Sequence, residues 1–211
     1  MTHDRAAGSA GPRPANEWIA RWDERYARGE ELHRFEPSRL LVETAADVAP
    51  GRALDLACGA GRNALFLAER GWRVEAVDGS AVALGLLSEK VRERGLQTRV
   101  RALAADLESR PRGFELAPAA YDLICDFYFL DRTLLEDVRE AVRPGGLLVA
   151  SIHLADPAQP MEGNADFLLR PGELRKIVTA WGWEIVHYRE GPTREDGHRH
   201  PSAELVAQRP G

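Results

Sequence analysis

Short apolar runs alternate with segments of helical apolar spacing through the middle of the chain. The apolar runs predict five strands, RALDLAC, WRVEAVD, TRVRALAAD, YDLICDF and GLLVASIHL. The intervening segments predict helices, one over NALFLAER and two that follow the N-cap residues Ser80 and Asp131. The helix after Asp131 is predicted to include Val142 and to end at Pro144-Gly145. This alternation predicts a doubly wound α/β fold, with a mostly parallel sheet and helices on both faces.

The two ends of the chain follow other patterns. Residues 1–15 predict a disordered tail, and residues 16–50 predict two helices, the first with Trp18, Trp22 and Tyr26 on one stripe. Near the C-terminus, Pro171 is predicted to lie in the first turn of a helix. The strands WEIVHYRE and AELVAQR follow with no helix between them, which predicts an antiparallel pair at one sheet edge. Residues 16–211 are therefore predicted to form a single domain.

Composition narrows the classes of partner. The 211 residues are 44% hydrophobic and 29% charged, with a formal charge of −5. The chain therefore lacks the excess of positive charge that would indicate a nucleic-acid or membrane partner. No apolar run is long enough to span a bilayer, and the N-terminus has no apolar signal segment. Cys58 and Cys125 lack metal-site spacing, so we expect a reduced, cytoplasmic protein without a metal, as a monomer or homodimer.

A glycine turn between the first strand and its helix raises the question of which nucleotide binds. Residues 59–64, GAGRNA, are close to the G-x-G-x-x-G/A pattern of dinucleotide sites, and Asp78 follows Gly59 at about the expected 20 residues. Taken alone, this match predicts an NAD-dependent oxidoreductase.

Two further carboxylates favour a different ligand. Asp55 lies in the strand just before the turn, where it would repel a pyrophosphate but attract an amino group or a sulfonium. Asp106 ends the third strand, where its oxygens suit an exocyclic amine. Three carboxylates at successive strand ends fit a cationic ligand that carries ribose and adenine. S-adenosylmethionine has these features, with Asp55 facing the amino group, Asp78 the ribose and Asp106 the adenine.

The ordered motifs of the chain resemble those of class I S-adenosylmethionine-dependent methyltransferases. The matching segments, over about residues 50–155, are LDLACGAGRN, VDGS, AADLE, YDLICDF and RPGGLLVAS. The resemblance implies a seven-stranded sheet of order 3-2-1-4-5-7-6 with an antiparallel last strand. More narrowly, WDERY, CGAGRN, RPGELR and GHR resemble the tellurite-resistance methyltransferase branch.

The resemblance implies S-adenosylmethionine as cofactor, S-adenosylhomocysteine as product and an N-terminal helix that covers the cofactor as a lid. The predicted cofactor site comprises Trp22, Tyr26, Asp55, Ala57, Cys58, Gly59, Gly61, Arg62, Asn63, Asp78, Gly79, Ser80, Ala105, Asp106, Leu107, Asp126 and Phe127. A module that binds the cofactor without catalysis stays open as an alternative, because cofactor motifs report binding and not chemistry.

The acceptor is predicted to be a small molecule, with a thiol or a chalcogen oxyanion as one class. Soft acceptors of this kind need no general base, whereas hydroxyls and many amines do. Asp126 ends the fourth strand, where it either orients the acceptor or holds a loop. Tyr128, Arg132 and His153 are predicted substrate residues, with aromatic packing or a structural histidine as alternatives. The narrower resemblance implies that His198 and Arg199 approach the acceptor.

Overall fold

A computed structural model describes residues 15–29, 36–156, 165–193 and 200–211 of the chain. Its centre is one seven-stranded sheet of order β3-β2-β1-β4-β5-β7-β6. Strands β1 to β5 pair in parallel, and β7 pairs antiparallel with both β5 and β6. The predicted fold class and strand order are confirmed. The strands are β1 Arg52–Leu56, β2 Arg73–Asp78, β3 Val100–Ala104, β4 Tyr121–Phe127, β5 Val142–His153, β6 Glu184–Gly191 and β7 Ser202–Gln208.

Six α-helices are present in the described ranges, none of them long and apolar enough to cross a membrane. They are α1 Ala15–Ala27, α2 Arg39–Ala45, α3 Arg62–Glu69, α4 Ala81–Glu93, α5 Arg132–Ala141 and α6 Glu173–Ala180, with a short 3₁₀ helix at Ala165–Phe167. Helix α1 thus begins at the last residue of the predicted tail, and residues 1–14 lie outside the described residues.

The core has two layers, one on each face of the sheet. Successive strand residues point to opposite faces, as Leu123 and Ile124 of β4 do. Helices α2, α3 and α4 cover the face of Leu123, and α5 and α6 cover the face of Ile124. Both faces of the central strands are thus buried, which explains why these strands have almost continuous apolar sequences.

The predicted helix caps at Ser80 and Asp131 are confirmed. The Ser80 hydroxyl accepts a hydrogen bond from the Ala83 amide at 3.1 Å, and the Asp131 carboxylate accepts one from the Leu134 amide at 2.7 Å. Each side chain thereby satisfies an amide in the first helical turn that has no partner within the helix.

Two predicted boundaries are wrong. Helix α5 ends at Ala141, and Val142 begins β5 instead, because this buried β-branched residue pairs with Tyr121 of β4. Pro171 precedes helix α6 and is not part of its first turn. Gly172 is the N-cap residue, with a left-handed φ of 74°, so the chain turns there and the helix begins at Glu173.

Candidate functional site

A cavity of about 600 Å³ lies at the carboxyl ends of the parallel strands and is covered by α1. This volume is within the usual range for a small-molecule site. Most of the predicted site residues line it, namely Trp22, Tyr26, Asp55, Ala57, Cys58, Gly59, Gly61, Arg62, Asn63, Asp78, Gly79, Ser80, Asp106, Leu107, Phe127, Tyr128 and His153. Ala105, Asp126 and Arg132 are not part of its lining. His198 and Arg199 lie outside the described residues.

The glycine turn forms the floor of the cavity between β1 and α3. Ala57, Gly59 and Gly61 all have left-handed backbones, with φ of 49°, 54° and 81°. The turn closes through a hydrogen bond from the Gly61 amide to the Cys58 carbonyl at 3.0 Å. A Cβ at Gly59 would lie 2.2 Å from Oη of Tyr26, so only glycine lets α1 approach this closely.

The residues after the turn connect the cavity to α2. Asn63 is buried, and its Oδ1 accepts a hydrogen bond from the Ser38 amide at 2.8 Å. Arg62 donates to the Glu36 carbonyl at 3.1 Å. Helix α2 itself packs in the core through Leu40 and Leu41, so of the two helices in the predicted lid region only α1 lines the cavity.

Asp78 and Asp106 hold the loops that follow β2 and β3. One oxygen of Asp78 accepts from the Gly59 amide and the other from the Ser80 amide, each at 2.8 Å. Burial raises the pKa of Asp78, although both amides oppose the shift. Asp106 accepts from the amides of Glu108 and Ser109 through Oδ1. Both residues also line the cavity. Because a carboxylate oxygen can accept more than one hydrogen bond, each carboxylate can still bind a ligand there.

Asp55 places a buried carboxyl group beneath the glycine turn. Its Oδ1 accepts from the Cys125 thiol at 3.2 Å, whereas its Oδ2 has no hydrogen-bond partner within the described parts of the chain. Burial raises the pKa of Asp55 to about 7, against the opposing effects of the Cys125 hydrogen bond and the positive charge of Arg62. A cationic hydrogen-bond donor in the cavity would therefore satisfy Oδ2 and favour the ionised form.

The structure does not bring Asp126 to the mouth of the cavity, where its position at a strand end predicted it. Its side chain is only 2% exposed, and its Oδ1 has no partner among the described residues. Burial, and to a smaller extent the charges of Asp55 and Asp131, raises the pKa of Asp126 well above its usual range. Asp126 is therefore buried outside the lining of the cavity, which corrects its predicted place among the cofactor and acceptor residues.

Arg132 is likewise directed away from the cavity, which corrects its prediction as a substrate residue. Its guanidinium forms a two-pronged ion pair with Glu173, with N–O distances of 2.6 and 3.0 Å. It also donates to the backbone carbonyls of Asp166 and Leu168. Four hydrogen bonds thus direct it to the start of α6, because a fork of donors suits a carboxylate with nearby carbonyls.

Helix α1 contributes a residue that was not predicted from the sequence. The Asp23 carboxylate accepts from the Ser80 hydroxyl at 2.5 Å and from the Val82 amide at 3.2 Å, at the N-terminus of α4. Beside it, the Ile19 side chain would lie 2.9 Å from a Cβ at Gly79. Asp23 has no distinguishing signal in the sequence, since an acidic residue on a polar helix is usually exposed to solvent.

The other end of the cavity, at β4, β5 and β7, carries aromatic and imidazole rings. Tyr128 has a left-handed φ of 66°, a conformation that costs on the order of 1–3 kcal/mol in a non-glycine residue. Its ring faces His153, with ring centres 4.7 Å apart, and His153 lies edge-on to His200 at 5.8 Å. From the sequence, His200 is only one of three basic residues in a loop.

Neither cysteine has the properties of a nucleophile. Burial and the neighbouring Asp55 charge raise the thiol pKa of Cys58 and of Cys125 well above the usual range, so both stay protonated. Across the described ranges, no cluster of His, Cys, Asp and Glu side chains is suited to hold a metal ion.

Known proteins resemble this chain in sequence over most of its length. The family model of the tellurite resistance protein TehB matches residues 29–200. Hemagglutinin 1 of Eikenella corrodens is 34% identical over 160 residues, which are 71% of this chain and 49% of that protein. The chain thus spans about half the length of this relative. A ubiquinone biosynthesis O-methyltransferase of Burkholderia vietnamiensis is 30% identical over 191 residues, with 80% of each chain covered.

Solved structures show the same fold at lower identity. TehB from Haemophilus influenzae superposes with a TM-score of 0.69 at 22% identity, covering 89% of this chain and 67% of that one. The 1,6-didemethyltoxoflavin-N1-methyltransferase of Burkholderia thailandensis, solved with its substrate and S-adenosylhomocysteine, gives 0.68 at 18% identity, with 100% and 99% covered.

Proposed function

Because this chain belongs to the tellurite resistance protein TehB family, within the S-adenosylmethionine-dependent methyltransferases, we propose that it transfers a methyl group from S-adenosylmethionine to a small molecule. The observation that carries the proposal is the buried carboxyl group of Asp55, a residue of the cavity lining whose Oδ2 lacks a partner among the described residues. A cationic amino group supplies such a partner, and a pyrophosphate does not.

The residues at the strand ends fit this cofactor. Asp55 would bind the amino group, the amide-anchored carboxylate of Asp78 the ribose hydroxyls, and Asp106 the adenine amine. Asp106 accepts both of its backbone hydrogen bonds through Oδ1, so its Oδ2 is suited to this role. The glycine turn leaves room for the ligand above its backbone. We extend the proposal to the other cofactor residues that line the cavity.

The cofactor supplies a methyl group already activated by its sulfonium. The contribution of the chain is therefore to align the acceptor with that methyl group and to exclude water. Trp18, Trp22 and Tyr26 cover the cavity from α1, and Trp22 is itself 40% exposed. In this proposal α1 is a lid that keeps the reacting groups away from solvent.

Two classes of acceptor have support. The name of the family, tellurite resistance protein, supports a chalcogen oxyanion, and a thiol stays a prediction from the sequence. The names of the ubiquinone O-methyltransferase and of the toxoflavin-type N-methyltransferase support an acceptor that is methylated on oxygen or nitrogen. Of the predicted acceptor residues, Tyr128 and His153 lie in the cavity, whereas His198 and Arg199 stay predictions.

Calorimetric titration of the purified protein with S-adenosylmethionine, S-adenosylhomocysteine and NAD tests the proposal. We expect the first two to bind and NAD not to bind. Binding of NAD alone would overturn the assignment of Asp55 and restore the oxidoreductase alternative. Transfer of a labelled methyl group to a small acceptor then distinguishes an enzyme from a module that binds the cofactor without turnover.

Asp78→Ala provides the matching variant. We expect cofactor affinity to fall on the order of tenfold or more, since hydrogen bonds to a charged group are lost, while circular dichroism still shows a folded sheet. Glu69→Ala is the control, because it removes the carboxylate of an exposed ion pair with Arg94 outside the cavity. Unchanged affinity in Asp78→Ala would contradict the ribose assignment.

A further inference from the structure

The sheet topology divides the cavity into two halves. Strand order reverses between β1 and β4, so that β1, β2 and β3 present the three carboxylates, while β4, β5 and β7 lie on the other side. In sheets of this kind ligands bind at the carboxyl ends of the strands, at the reversal. With the cofactor on the first side, as the proposed function requires, the second half is left for the acceptor.

The acceptor half is walled by flat rings. The rings of Tyr128 and His153 face each other at a centre distance of 4.7 Å, with their planes tilted by 33°. Trp18 of α1 contacts Phe167 edge-on at 5.5 Å, and both residues line the same cavity. Such surfaces hold a planar π-system by stacking and edge contacts, and they offer little to a compact oxyanion.

His200 adds a proton acceptor to these walls. Its Nδ1 is buried and has no hydrogen-bond partner among the residues that the structure describes, although His200 lines the cavity. A buried imidazole nitrogen without a partner carries a desolvation cost that a hydroxyl or N–H of a bound molecule removes. The adjacent ring of His153 lies edge-on to His200, with ring centres 5.8 Å apart and planes inclined by 72°.

We propose that the methyl acceptor is a planar aromatic or heteroaromatic ring with a hydroxyl or N–H, stacked at Tyr128 and His153, whose proton His200 accepts. The acceptor oxygen or nitrogen forms the new bond to the methyl carbon as the bond from that carbon to sulfur breaks. The electron pair of the broken bond stays on sulfur, and the acceptor's proton passes to Nδ1 of His200. This inference rests on the proposed function and specifies its substrate class.

The position of Arg132 agrees with this choice. A chalcogen oxyanion needs cationic hydrogen-bond donors, but the arginine that follows β4 is directed to Glu173 and is absent from the cavity lining. The cationic residues that do line the cavity lie on α1, α3 and α4, namely Arg21, Arg25, Arg62 and Lys90. After β4, the described chain presents aromatic rings to the cavity instead, Phe127, Tyr128 and Phe129.

Binding of a probe to protein saturated with S-adenosylhomocysteine tests the planar shape. Catechol and cyclohexane-1,2-diol carry the same two hydroxyls on a flat and a puckered ring. We expect catechol to bind and to be methylated when S-adenosylmethionine replaces the product, and we expect the diol not to bind. His153→Leu should raise KM for catechol about threefold to tenfold with little change in kcat, because it removes a stacking surface and not a proton acceptor.

His200→Asn tests the proton acceptor with a readout that a structural role would not change. We expect kcat for catechol to fall by about 10²-fold or more. The loss should be much smaller for 4-nitrocatechol, whose hydroxyl is already ionised at neutral pH. His187→Asn is the matched control, since His187 lies on β6 beside Glu204 and outside the cavity lining. An equal loss with both probes would show that His200 only supports the structure.

The remaining outcomes separate the two proposals. Methylation of tellurite or of the aliphatic thiol 2-mercaptoethanol, without binding or methylation of catechol, would overturn the aromatic class and leave the proposed function standing. Failure of the same protein to bind S-adenosylmethionine would overturn the proposed function and this inference together.

Discussion

Single residues set how closely the backbone and α1 approach the cavity. Gly59 has a left-handed φ of 54°, and the Tyr26 hydroxyl occupies the space next to its Cα. The glycine therefore serves two purposes, because it permits the turn and also leaves room for Tyr26 of α1. Gly85, in contrast, lies in the exposed face of α4, where a Cβ would meet no atom within 4 Å, so nothing in its surroundings requires glycine.

Alanine substitutions at these two glycines should have opposite effects on stability. Gly59→Ala should lower the free energy of unfolding by on the order of 1–3 kcal/mol, because it forces a Cβ into a left-handed residue against Tyr26. Gly85→Ala should raise that free energy by about 0.5–1 kcal/mol, because glycine weakens a helix interior. Urea unfolding of both variants measures the difference. A stabilised Gly59→Ala would show that the turn is not constrained as described.

Glycine positions of this kind can be predicted from sequence, whereas other strained residues cannot. The G-A-G spacing indicated Gly59 and Gly61 as a ligand turn. Ala57 and Tyr128 also adopt positive φ, at 49° and 66°, but alanine and tyrosine give no sequence signal for it. Their conformations arise from the way the chain leaves β1 and β4, which is a tertiary effect.

At the scale of elements, α1 is attached to the sheet domain by a small number of polar and apolar contacts. Asp23 joins α1 to the N-terminus of α4 through Ser80 and the Val82 amide. A carboxylate there is also stabilised by the positive end of the helix dipole. Ser80 thus links α1 to the loop that carries Asp78, because it caps α4, donates to Asp23 of α1 and has its own amide bound by Asp78.

Asp23→Asn should loosen the lid while leaving the sheet intact. The amide can donate or accept but carries no charge, so we expect cofactor affinity to fall severalfold and proteolysis near α1 to speed up. The melting temperature of the sheet domain should change little. Glu24→Gln is the control, since Glu24 is exposed and pairs only with Arg28 among its described contacts. Equal affinity in both variants would exclude a role for Asp23 in holding the lid.

The helix itself was predictable, but its attachment was not. The stripe of Trp18, Trp22 and Tyr26 predicted an element with one buried face, and all three residues lie at the cavity. The attachment depends on which residues at the start of α4 lie opposite Asp23. The spacing of residues within α1 does not predict these partners. The misplacement of Arg132 has the same origin, because its partner Glu173 is distant in sequence.

At the scale of the whole molecule, several carboxyl groups at the site are buried, where their charged form is unfavourable. Burial raises the carboxyl pKa of Asp55 to about 7, and it raises the pKa of Asp78 and of Asp126 in the same direction. The folded chain therefore keeps protons that the unfolded chain releases above its ordinary carboxyl pKa, 3.8 for Asp55. Asp131 and Glu173 act in the opposite direction, because hydrogen bonds lower their pKa.

The ligand-free protein should accordingly be more stable in mild acid than in mild alkali. As pH rises from about 4 through about 7, the unfolded state loses protons first, so the free energy of unfolding falls. Below about pH 4, protonation of Asp131 and Glu173 removes their contribution, and stability falls again. Urea unfolding at about pH 5 and about pH 8 measures this slope. Asp55→Asn should flatten it, whereas Asp47→Asn, at an exposed carboxyl, should not.

The global arrangement followed from sequence more completely than the site did. Alternating strands and helices, with an unlinked last pair, were sufficient for the class and, with the family resemblance, for the order β3-β2-β1-β4-β5-β7-β6. The contact between the rings of His153 and His200 could not be predicted from the sequence. It arises because β7 enters between β5 and β6 and pairs His153 with Ser202, a register that no local pattern specifies.

The sheet also ends in a strand, β6, which pairs on one side with β7 and on its outer side with no strand of the described residues. Between Ile185 and His187 the register with β7 shifts by one residue, and the extra residue, Val186, is 59% exposed. A bulge of this type bends an edge strand and interrupts its row of backbone donors and acceptors. The bulge should therefore help to keep the protein soluble in a crowded cell, because an interrupted edge strand is a poor template for the growth of intermolecular sheets.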